Sequence, residues 1–191
     1  MAGGKLLLHV CCAPDATVPW PELSGEGFCV SAYLFGGNIH PEEEYQKRAA
    51  SLARLAEALC GDFVVSAFEP LQWLKSVGGL SNEPEGGARC RVCFTLQLEA
   101  SAKYAADNGF SHLSTTLTIS PHKDPRLINI IGSEISEKYG LSWVERIWRR
   151  RGGFKRSVEE SRKLGLYRQN YCGCVYSERD AYNGLRKDND G

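Results

Sequence analysis

Lys5-Leu6-Leu7-Leu8-His9-Val10-Cys11-Cys12 is the stretch that decides the fold of this chain. Its nearly continuous apolar run predicts a short strand buried on both faces, which is typical of a parallel sheet covered by helices. Nucleotide-binding enzymes of related architecture place a glycine-rich loop after this strand to cradle phosphates. This chain continues instead with Ala13, Pro14 and Asp15, so we predict no nucleotide cofactor.

Strand and helix patterns alternate along the rest of the chain. Such alternation implies right-handed crossovers and one parallel sheet of about five strands with helices on both faces, a Rossmann-like α/β fold. We predict a single domain over residues 1–186, with a C-terminal extension rich in basic residues and cysteine, and a frayed polar tail at 187–191. The further strands are predicted at 28–35, 62–68, 112–119 and 142–148, and the helices at 41–59, 90–107 and 125–139.

Composition and charge limit the class of protein. The chain has 191 residues, of which 42% are hydrophobic, and its 23 Lys and Arg balance its 23 Asp and Glu. A net charge of zero argues against attraction of nucleic acid by the whole surface but permits a local basic patch. No apolar run approaches the roughly 20 residues of a membrane span, and no signal-peptide pattern begins the chain. We therefore expect a cytoplasmic protein with no membrane partner.

Cysteine is the unusual component, with eight residues in a chain for which we expect a reducing compartment. Cysteines in such a compartment more often bind metal or do redox chemistry than form disulfides. Cys29 lies in an apolar strand pattern and Cys60 near a helix end, so both are predicted to be plain core or boundary residues. The other six form three close pairs, Cys11 with Cys12, Cys90 with Cys93, and Cys172 with Cys174.

The spacing within the pairs bears on the metal that they suit. Cys90 and Cys93 lie one turn apart at a predicted helix N-terminus, where the positive helix end is expected to lower the thiol pKa. Two adjacent cysteines cannot easily chelate one tetrahedral ion, but Cys11 and Cys12 can face two metal atoms or two corners of a cluster. Asp15 offers an oxygen ligand suited to iron, or alternatively caps a following helix. Structural zinc and a thiol–disulfide enzyme are alternatives, but the spacing favours iron–sulfur ligation.

Several polar segments follow predicted strands. The Cys11-Cys12 pair, Asn38 and residues 120–123 all fall at strand carboxyl ends, and Cys90 falls at a helix N-terminus. Ligands of parallel α/β sheets bind beyond the carboxyl ends of the strands. We therefore expect these segments to meet at one rim of the sheet.

Five longer motifs, spread over nearly the whole chain, contain these residues. They are His9-Val-Cys-Cys-Ala-Pro-Asp15, Asn38-Ile-His-Pro41, Glu83-Pro-Glu-Gly-Gly-Ala-Arg-Cys-Arg-Val-Cys-Phe94, Thr115-Thr-Leu-Thr-Ile-Ser-Pro-His-Lys-Asp124 and Leu166-Tyr-Arg-Gln-Asn-Tyr-Cys-Gly-Cys-Val-Tyr-Ser177. In their order and their length, the motifs resemble those of the cobalamin-independent epoxyqueuosine reductases.

The resemblance implies a nucleotide-binding-like fold of the HUP type, a 4Fe-4S cluster and an additional mononuclear iron, without cobalamin. It also implies the last step of queuosine synthesis, the reductive removal of the epoxide oxygen at the wobble position of a tRNA anticodon. Many members carry Cys where this chain has Asp15, and this departure fits an iron ligated by a carboxylate. Carried over residue by residue, the candidate cluster ligands are Cys11, Cys12, Cys90 and Cys93, and further metal ligands near the site are Asp15, Cys172 and Cys174.

The implied reaction sets requirements on the site. Removal of an epoxide oxygen as water needs two electrons, two protons and a Lewis acid that polarises the C–O bond. An iron–sulfur cluster can supply the electrons one at a time. His122, Lys123 and Tyr171 are candidate proton donors, and Asp15 is the candidate ligand of the iron. No flavin or nicotinamide motif occurs, so we expect an external electron donor.

A basic segment is the candidate tRNA surface. Residues 146–168 contain nine Lys or Arg and two Glu, a net charge of +7 that the rest of the chain offsets. Phosphates of an anticodon stem-loop suit such a surface, although a solvated helix face is the alternative. Most of the interleaved aromatic residues are expected in the core, with one or two stacking on loop bases: Trp143, Trp148, Phe154 and Tyr167. The predicted tRNA-binding residues are Asn38, Arg149, Arg150, Arg151, Lys155 and Arg168.

Two other functions stay open at this point. One is an iron–sulfur enzyme that transfers or removes sulfur, with sulfide bound at an open iron. The other is an RNA-binding module held together by zinc. Iron together with acid-labile sulfide would exclude the zinc module, and analysis of the reaction product would separate oxygen removal from sulfur transfer.

Overall fold

A sheet of five parallel strands lies at the centre of the computed structural model, which describes residues 3–180. The strands are β1 (Lys5–Val10), β2 (Cys29–Leu34), β3 (Asp62–Val65), β4 (His112–Thr115) and β5 (Ser142–Trp143). Their order across the sheet is β3-β2-β1-β4-β5, and every neighbouring pair is parallel. The predicted fold class is confirmed. The predicted tail at 187–191 lies outside the described residues.

Seven α-helices that lie wholly within residues 3–180 flank the sheet, and residues 175–180 are helical as well. The seven are α1 (Ala13–Ala16), α2 (Pro19–Gly25), α3 (Glu42–Leu59), α4 (Pro70–Val77), α5 (Ala88–Asp107), α6 (Pro125–Lys138) and α7 (Gly153–Lys163). Side chains of β1 alternate between two cores, as the period of a strand requires. Leu6 and Leu8 pack on the side of α1, α2 and α3, whereas Leu7 packs on the side of α5 and α6. Helices therefore cover both faces, as predicted.

All five strands are shorter than their apolar patterns predicted, and three of them end at least three residues early. β3 ends at Val65 rather than at residue 68, β4 at Thr115 rather than at 119, and β5 at Trp143 rather than at 148. After β4 the chain enters a short 3-10 helix at Leu117–Ile119, and the Thr115 hydroxyl accepts a hydrogen bond from the Leu117 amide. Leu117 and Ile119 are nevertheless buried. The apolar pattern therefore marked burial correctly, but not extended backbone.

The sequence patterns missed four helices, α1, α2, α4 and α7. α1 is a single turn, too short to show a helical period. α7 buries only Gly153, Ser157 and Ser161, and it packs against α1 through this small polar face. The sequence pattern of α7 indicates only a solvated helix face, because small residues fill its buried face and charged residues dominate the rest.

Two expectations concern the outside of the fold. Cys29 begins β2 and Cys60 follows α3, and both are exposed, so they are boundary residues. A core position for Cys29 is wrong, because the residue lies at the strand end rather than inside it. Among residues 3–180, no helix is both long and apolar enough to cross a membrane.

The strand order places a crevice at one edge of the sheet. β2 and β4 lie on opposite sides of β1, so the connections that follow β1 and β4 run to opposite faces. Open α/β sheets bind their ligands at such a switch point. Cys11 follows β1 and Thr116 follows β4, and the Cys11 Sγ and Thr116 Oγ1 atoms lie 3.5 Å apart in this crevice.

Candidate metal centre

The first group of candidate ligands lies directly after β1. The Sγ atoms of Cys11 and Cys12 and a carboxylate oxygen of Asp15 all lie within 4.8 Å of one another. The Cys11 thiol donates a hydrogen bond to Asp15 Oδ2 at 3.2 Å. Asp15 does not cap α1, because Cys12 occupies the N-cap position and Asp15 lies inside the helix. Two soft sulfurs and one harder oxygen therefore converge, and this donor set fits a single iron ion. The expectation that the adjacent cysteines face two metal atoms is not met, because both sulfur atoms lie on the same side as Asp15.

The second group lies on the other side of the crevice and consists of four thiols. Cys90 and Cys93 lie on the first turns of α5, and Cys172 and Cys174 lie in the turn that follows α7. All four line one narrow cavity, together with Trp73 and other residues. Four thiols around one enclosed space are the donor set of a cubane iron–sulfur cluster.

A wider cavity opens beside the two groups. Its volume is about 310 Å³, within the size range of small-molecule sites. We call this space the open cavity and the narrow one the cysteine cavity. Cys11 and Asp15 line the open cavity from the side of β1, and Cys172 lines both cavities. Three predicted proton donors also line the open cavity, His122, Lys123 and Tyr171. The expectation that these segments meet at one rim is thus met by the geometry.

Burial is the main influence on the pKa of three thiols of the site. It raises the pKa of Cys90, Cys93 and Cys172. A hydrogen bond with Cys12, followed by burial, raises the pKa of Cys11. The expected lowering of the pKa of Cys90 and Cys93 is therefore wrong, because burial outweighs the lowering by the Gly86 amide at Cys90 and by Trp73 at Cys93. A bound metal would replace the thiol protons, so metal affinity would rise with pH.

The three candidate proton donors differ in their surroundings. Burial opposes the charge of Lys123, but the nearby Cys172, Cys11 and Asp15 outweigh burial and raise the pKa of Lys123, so the ammonium group keeps its proton. His122 is exposed at the mouth of the open cavity. The Tyr171 hydroxyl donates to the His40 carbonyl oxygen at 2.5 Å, so its proton is engaged away from the cavity.

Comparison with known proteins decides the family. A model of the family described as epoxyqueuosine reductase QueH matches residues 6–180. The chain belongs to the epoxyqueuosine reductase family. The resemblance seen in the five motifs is thereby confirmed.

Relatives in this family span most of the chain. The epoxyqueuosine reductase QueH of Streptococcus pyogenes serotype M1 is 37% identical over 181 residues, which cover 92% of this chain and 71% of that protein. The epoxyqueuosine reductase QueH of Thermotoga maritima is 36% identical over 179 residues, which cover 91% of this chain and 90% of that protein.

Two solved structures share the fold of this epoxyqueuosine reductase family member. The U34-tRNA thiolase NcsA of Methanococcus maripaludis, with its 4Fe-4S cluster, superposes with a TM-score of 0.61 at 9% identity, covering 98% of this chain and 68% of that one. A predicted subunit of a tRNA methyltransferase from Methanocaldococcus jannaschii gives a TM-score of 0.57 at 12% identity, covering 96% and 88%. At these identities the likeness concerns the fold alone.

The predicted tRNA-binding residues lie in different environments. Asn38 is buried in the wall of the cysteine cavity, away from the open cavity. Arg149 donates to the carbonyl oxygens of residues 120, 121 and 123, so it holds the loop that carries Lys123. Arg168 lines the open cavity and donates to Ser161 Oγ at 3.1 Å. The fully exposed members of the set are Arg150, Arg151 and Lys155.

The aromatic residues of the basic segment are mostly structural, as expected. Trp148 is buried and donates to the Thr115 carbonyl oxygen at 2.9 Å. Trp143 donates to Asn129, and Tyr167 donates to Glu44. Phe154 differs from these three, because it lines the open cavity.

Sequence reasoning missed several residues of the site. Glu85, Gln169 and Asn170 line the open cavity, and each lies inside one of the five family motifs. Their position in a motif was the available signal. Arg48 had no such signal, because it lies in the polar part of α3, yet its guanidinium reaches the backbone of the turn that carries Cys172.

Proposed function

We propose that this chain is an epoxyqueuosine reductase that acts on the wobble nucleoside of a tRNA in the cytoplasm. The observation that carries the proposal is the open cavity, where Cys11, Asp15, Cys172 and Lys123 face one space beyond the strand ends. Curated relatives that cover most of this chain are named for this reaction. Anaerobic incubation with tRNA containing epoxyqueuosine, followed by nucleoside analysis, tests it. Formation of queuosine is expected, whereas a thiolated nucleoside or a zinc-only protein would favour the alternative functions.

The two groups of donors support a division of the metals that differs from the sequence-based one. In this proposal Cys90, Cys93, Cys172 and Cys174 hold a 4Fe-4S cluster, because they surround one enclosed cavity. The remaining donors, Cys11, Cys12 and Asp15, hold the additional iron, because their ligand atoms converge separately. When bound, the cluster would supply single electrons and the iron would act as the Lewis acid.

The overall reaction consumes electrons and protons that must reach the substrate through the site. Both C–O bonds of the epoxide break, a carbon–carbon double bond forms, and the oxygen leaves as water after uptake of two electrons and two protons. The electrons come from an external donor. Lys123 is the proton donor in this proposal, because it lines the open cavity and is protonated. Its raised pKa makes it a weak acid, so it donates to the oxygen only once that oxygen carries alkoxide-like negative charge. His122, exposed at the cavity mouth, can pass protons from solvent.

Replacing Lys123 with glutamine tests the assignment of the proton donor. General acid catalysis contributes about 10²- to 10⁴-fold to a rate, so we expect kcat to fall by that order while KM for tRNA changes little. His122→Gln is the matched comparison and is expected to cost less than Lys123→Gln. Single-turnover rates and the iron content of each variant provide the measurement. A Lys123→Gln protein with raised KM and normal kcat would show instead that Lys123 only binds phosphate.

The exposed basic residues around the start of α7 form the proposed tRNA surface. Several basic residues of the segment are already paired, since Arg146 bonds Glu26 and Arg156 bonds Glu22, each at 2.7 Å. Arg150 and Arg151 form no salt bridge with another residue among 3–180, and they lie next in sequence to the Arg149 that holds the Lys123 loop. Exposed guanidinium groups without a salt bridge are suited to phosphate contacts.

Reversal of Arg150 and Arg151 to glutamate is expected to weaken tRNA binding by about tenfold or more and leave the cluster intact. The slope of log affinity against log salt should fall by about two units, one for each lost phosphate contact. Arg149 stays unchanged, because its loss would also release the Lys123 loop. The matched control reverses Lys5 and Lys75, which are exposed elsewhere and change the net charge equally. Equal affinities for the two double variants across a salt series would identify the segment as a solvated face.

A further inference from the structure

A buried ion pair lies beneath the turn that carries Cys172 and Cys174. The Arg48 side chain on α3 is only 1% exposed, and its Nε atom donates to Glu44 Oε1 at 2.8 Å. The Tyr167 hydroxyl donates to the other oxygen of Glu44 at 2.6 Å. Arginine is almost never fully buried unless it is paired, and here one carboxylate occupies only one edge of the guanidinium.

The other edge of the guanidinium faces backbone oxygens of the metal-binding turn. Arg48 Nη1 donates to the Cys172 carbonyl at 3.0 Å, and Nη2 donates to the Tyr171 carbonyl at 3.3 Å. The guanidinium carbon also lies 5.7 Å from the centre of the Tyr171 ring. The planar fork of arginine suits two adjacent acceptors, which an ammonium group cannot match in the same geometry.

Gly173 adapts the turn to this contact. Its φ angle is +130°, which other residues rarely adopt, and a Cβ atom built on it would lie 2.9 Å from Arg48 Nη1. The Gly173 carbonyl accepts from the His40 amide at 2.7 Å, and the Gly173 amide donates to Ser177 Oγ at 3.3 Å. The turn between the two cysteines is therefore held by the guanidinium, by the loop after β2 and by Ser177.

Stability alone does not account for this arrangement. Burial of an ion pair costs hydration, and well-packed apolar residues often replace such a pair without loss of stability. Here the pair has a specific target, the backbone on either side of the Cys172 Cα atom. Cys172 is also the cysteine that lines both the narrow cavity and the open cavity.

We propose that Arg48 is a positioning residue that locks the Tyr171–Cys174 backbone, so that Cys172 and Cys174 present their thiols to the cysteine cavity. Glu44 and Tyr167 orient the guanidinium. The role of the two thiols as cluster ligands rests on the proposed function, but the locking of the backbone does not. The proposal therefore has a consequence in the metal-free protein that can be measured separately.

Arg48→Lys tests the proposal, because it keeps the buried charge and loses the fork. In metal-free protein, amide hydrogen exchange in the segment 171–177 is expected to accelerate at least tenfold, while exchange in β1 and β4 stays at the wild-type rate. After anaerobic reconstitution, iron and acid-labile sulfide are expected to fall by half or more. Wild-type exchange in 171–177, or equal acceleration across the sheet, would overturn the positioning role.

Gly173→Ala provides a second test if Arg48→Lys does not fold. The added Cβ atom would crowd the contact between the turn and the Arg48 guanidinium. This variant is therefore expected to give the same faster exchange in 171–177 and the same loss of iron. Gly140→Ala is its matched control, because Gly140 also has a positive φ but has open space around its Cα atom and lies far away in sequence. Equal exchange in 171–177 and equal iron content in the two glycine variants would overturn the proposal.

A double substitution separates positioning of a ligand from general destabilisation. In a Cys172→Ser background, Arg48→Lys is expected to cause little additional loss of iron, because the two changes act on the same ligand. Losses that add fully would contradict the proposal. If the wild-type protein fails to reduce epoxyqueuosine, the proposed function fails, whereas the exchange results still decide the role of Arg48.

Discussion

Replacing Asp15 with asparagine is expected to lower the iron content by about one atom per chain and to abolish reduction of epoxyqueuosine, with the cluster retained. The physical reason is that the Asp15 carboxylate faces the Cys11 thiol at 3.2 Å and converges with Cys12, whereas an amide is a poor ligand for iron. We expect turnover to fall by more than about a hundredfold, beyond the loss typical of outer-shell changes. Iron analysis, visible absorbance and nucleoside analysis provide the measurements.

The Asp15→Asn substitution distinguishes loss of an iron ligand from disruption of α1. Asparagine has nearly the shape of aspartate, and Asp15 is not the N-cap of α1, so helix formation should be unaffected. Asp124, which does cap α6 through the Arg126 amide, is the matched control. Asp124→Asn should keep wild-type iron and turnover. Wild-type iron and turnover in the Asp15→Asn protein would refute the ligand assignment.

Substitution of Cys90 or Cys93 by serine is expected to remove the cluster absorbance and the activity together. Both residues lie on the first turns of α5 and face the same narrow cavity as the turn at 172–174. A serine hydroxyl keeps the size of the side chain but is a much harder donor than a thiolate, so the cubane loses a ligand. Anaerobic reconstitution with iron and sulfide, followed by iron and sulfide analysis, measures the effect.

The chain provides its own control for this experiment. Cys29 and Cys60 are exposed and lie at element ends, so serine at either position should leave iron content and turnover at the wild-type level. Loss of iron in all four variants would point to a general effect of thiol removal. A fully loaded and active double serine variant at Cys90 and Cys93 would end the assignment of the cluster.

The fold and the family could both be predicted from local patterns. The apolar run at Lys5–Val10 predicted a strand covered by helices on both faces of the sheet. The alternation of strands and helices then restricted the chain to a few possible topologies. The five motifs allowed the family to be predicted, because they are long and keep their order along the chain. Helices were missed where they are too short to show a period, as in α1, or where small polar residues form the buried face, as in α7.

The grouping of the site residues was decided by the tertiary structure. The family resemblance grouped Cys11 and Cys12 with Cys90 and Cys93, but the fold places the turn at 172–174 with the α5 thiols and Asp15 with the β1 thiols. Such partners are far apart in sequence, and only the packing of elements sets the distance between them. Asn38 and Arg149 are among the predicted tRNA-binding residues, and the fold places Asn38 in the wall of the cysteine cavity and Arg149 against the loop that carries Lys123.

The surroundings of each side chain, and with them the pKa of each thiol, are also set by the tertiary structure. From the sequence alone, a helix N-terminus predicted a lowered pKa for Cys90 and Cys93, whereas burial by neighbouring elements raises the pKa of both thiols. The position of Arg48 in the sequence of α3 does not indicate a role in the site. That role becomes visible only in the folded chain, where Arg48 Nη1 lies 3.0 Å from the Cys172 carbonyl oxygen. The sequence by itself therefore determined the five strands of the sheet, the three long helices α3, α5 and α6, and the family to which the chain belongs. The tertiary structure decided which side chains share a cavity, because hydration and long-range contacts exist only after the elements pack.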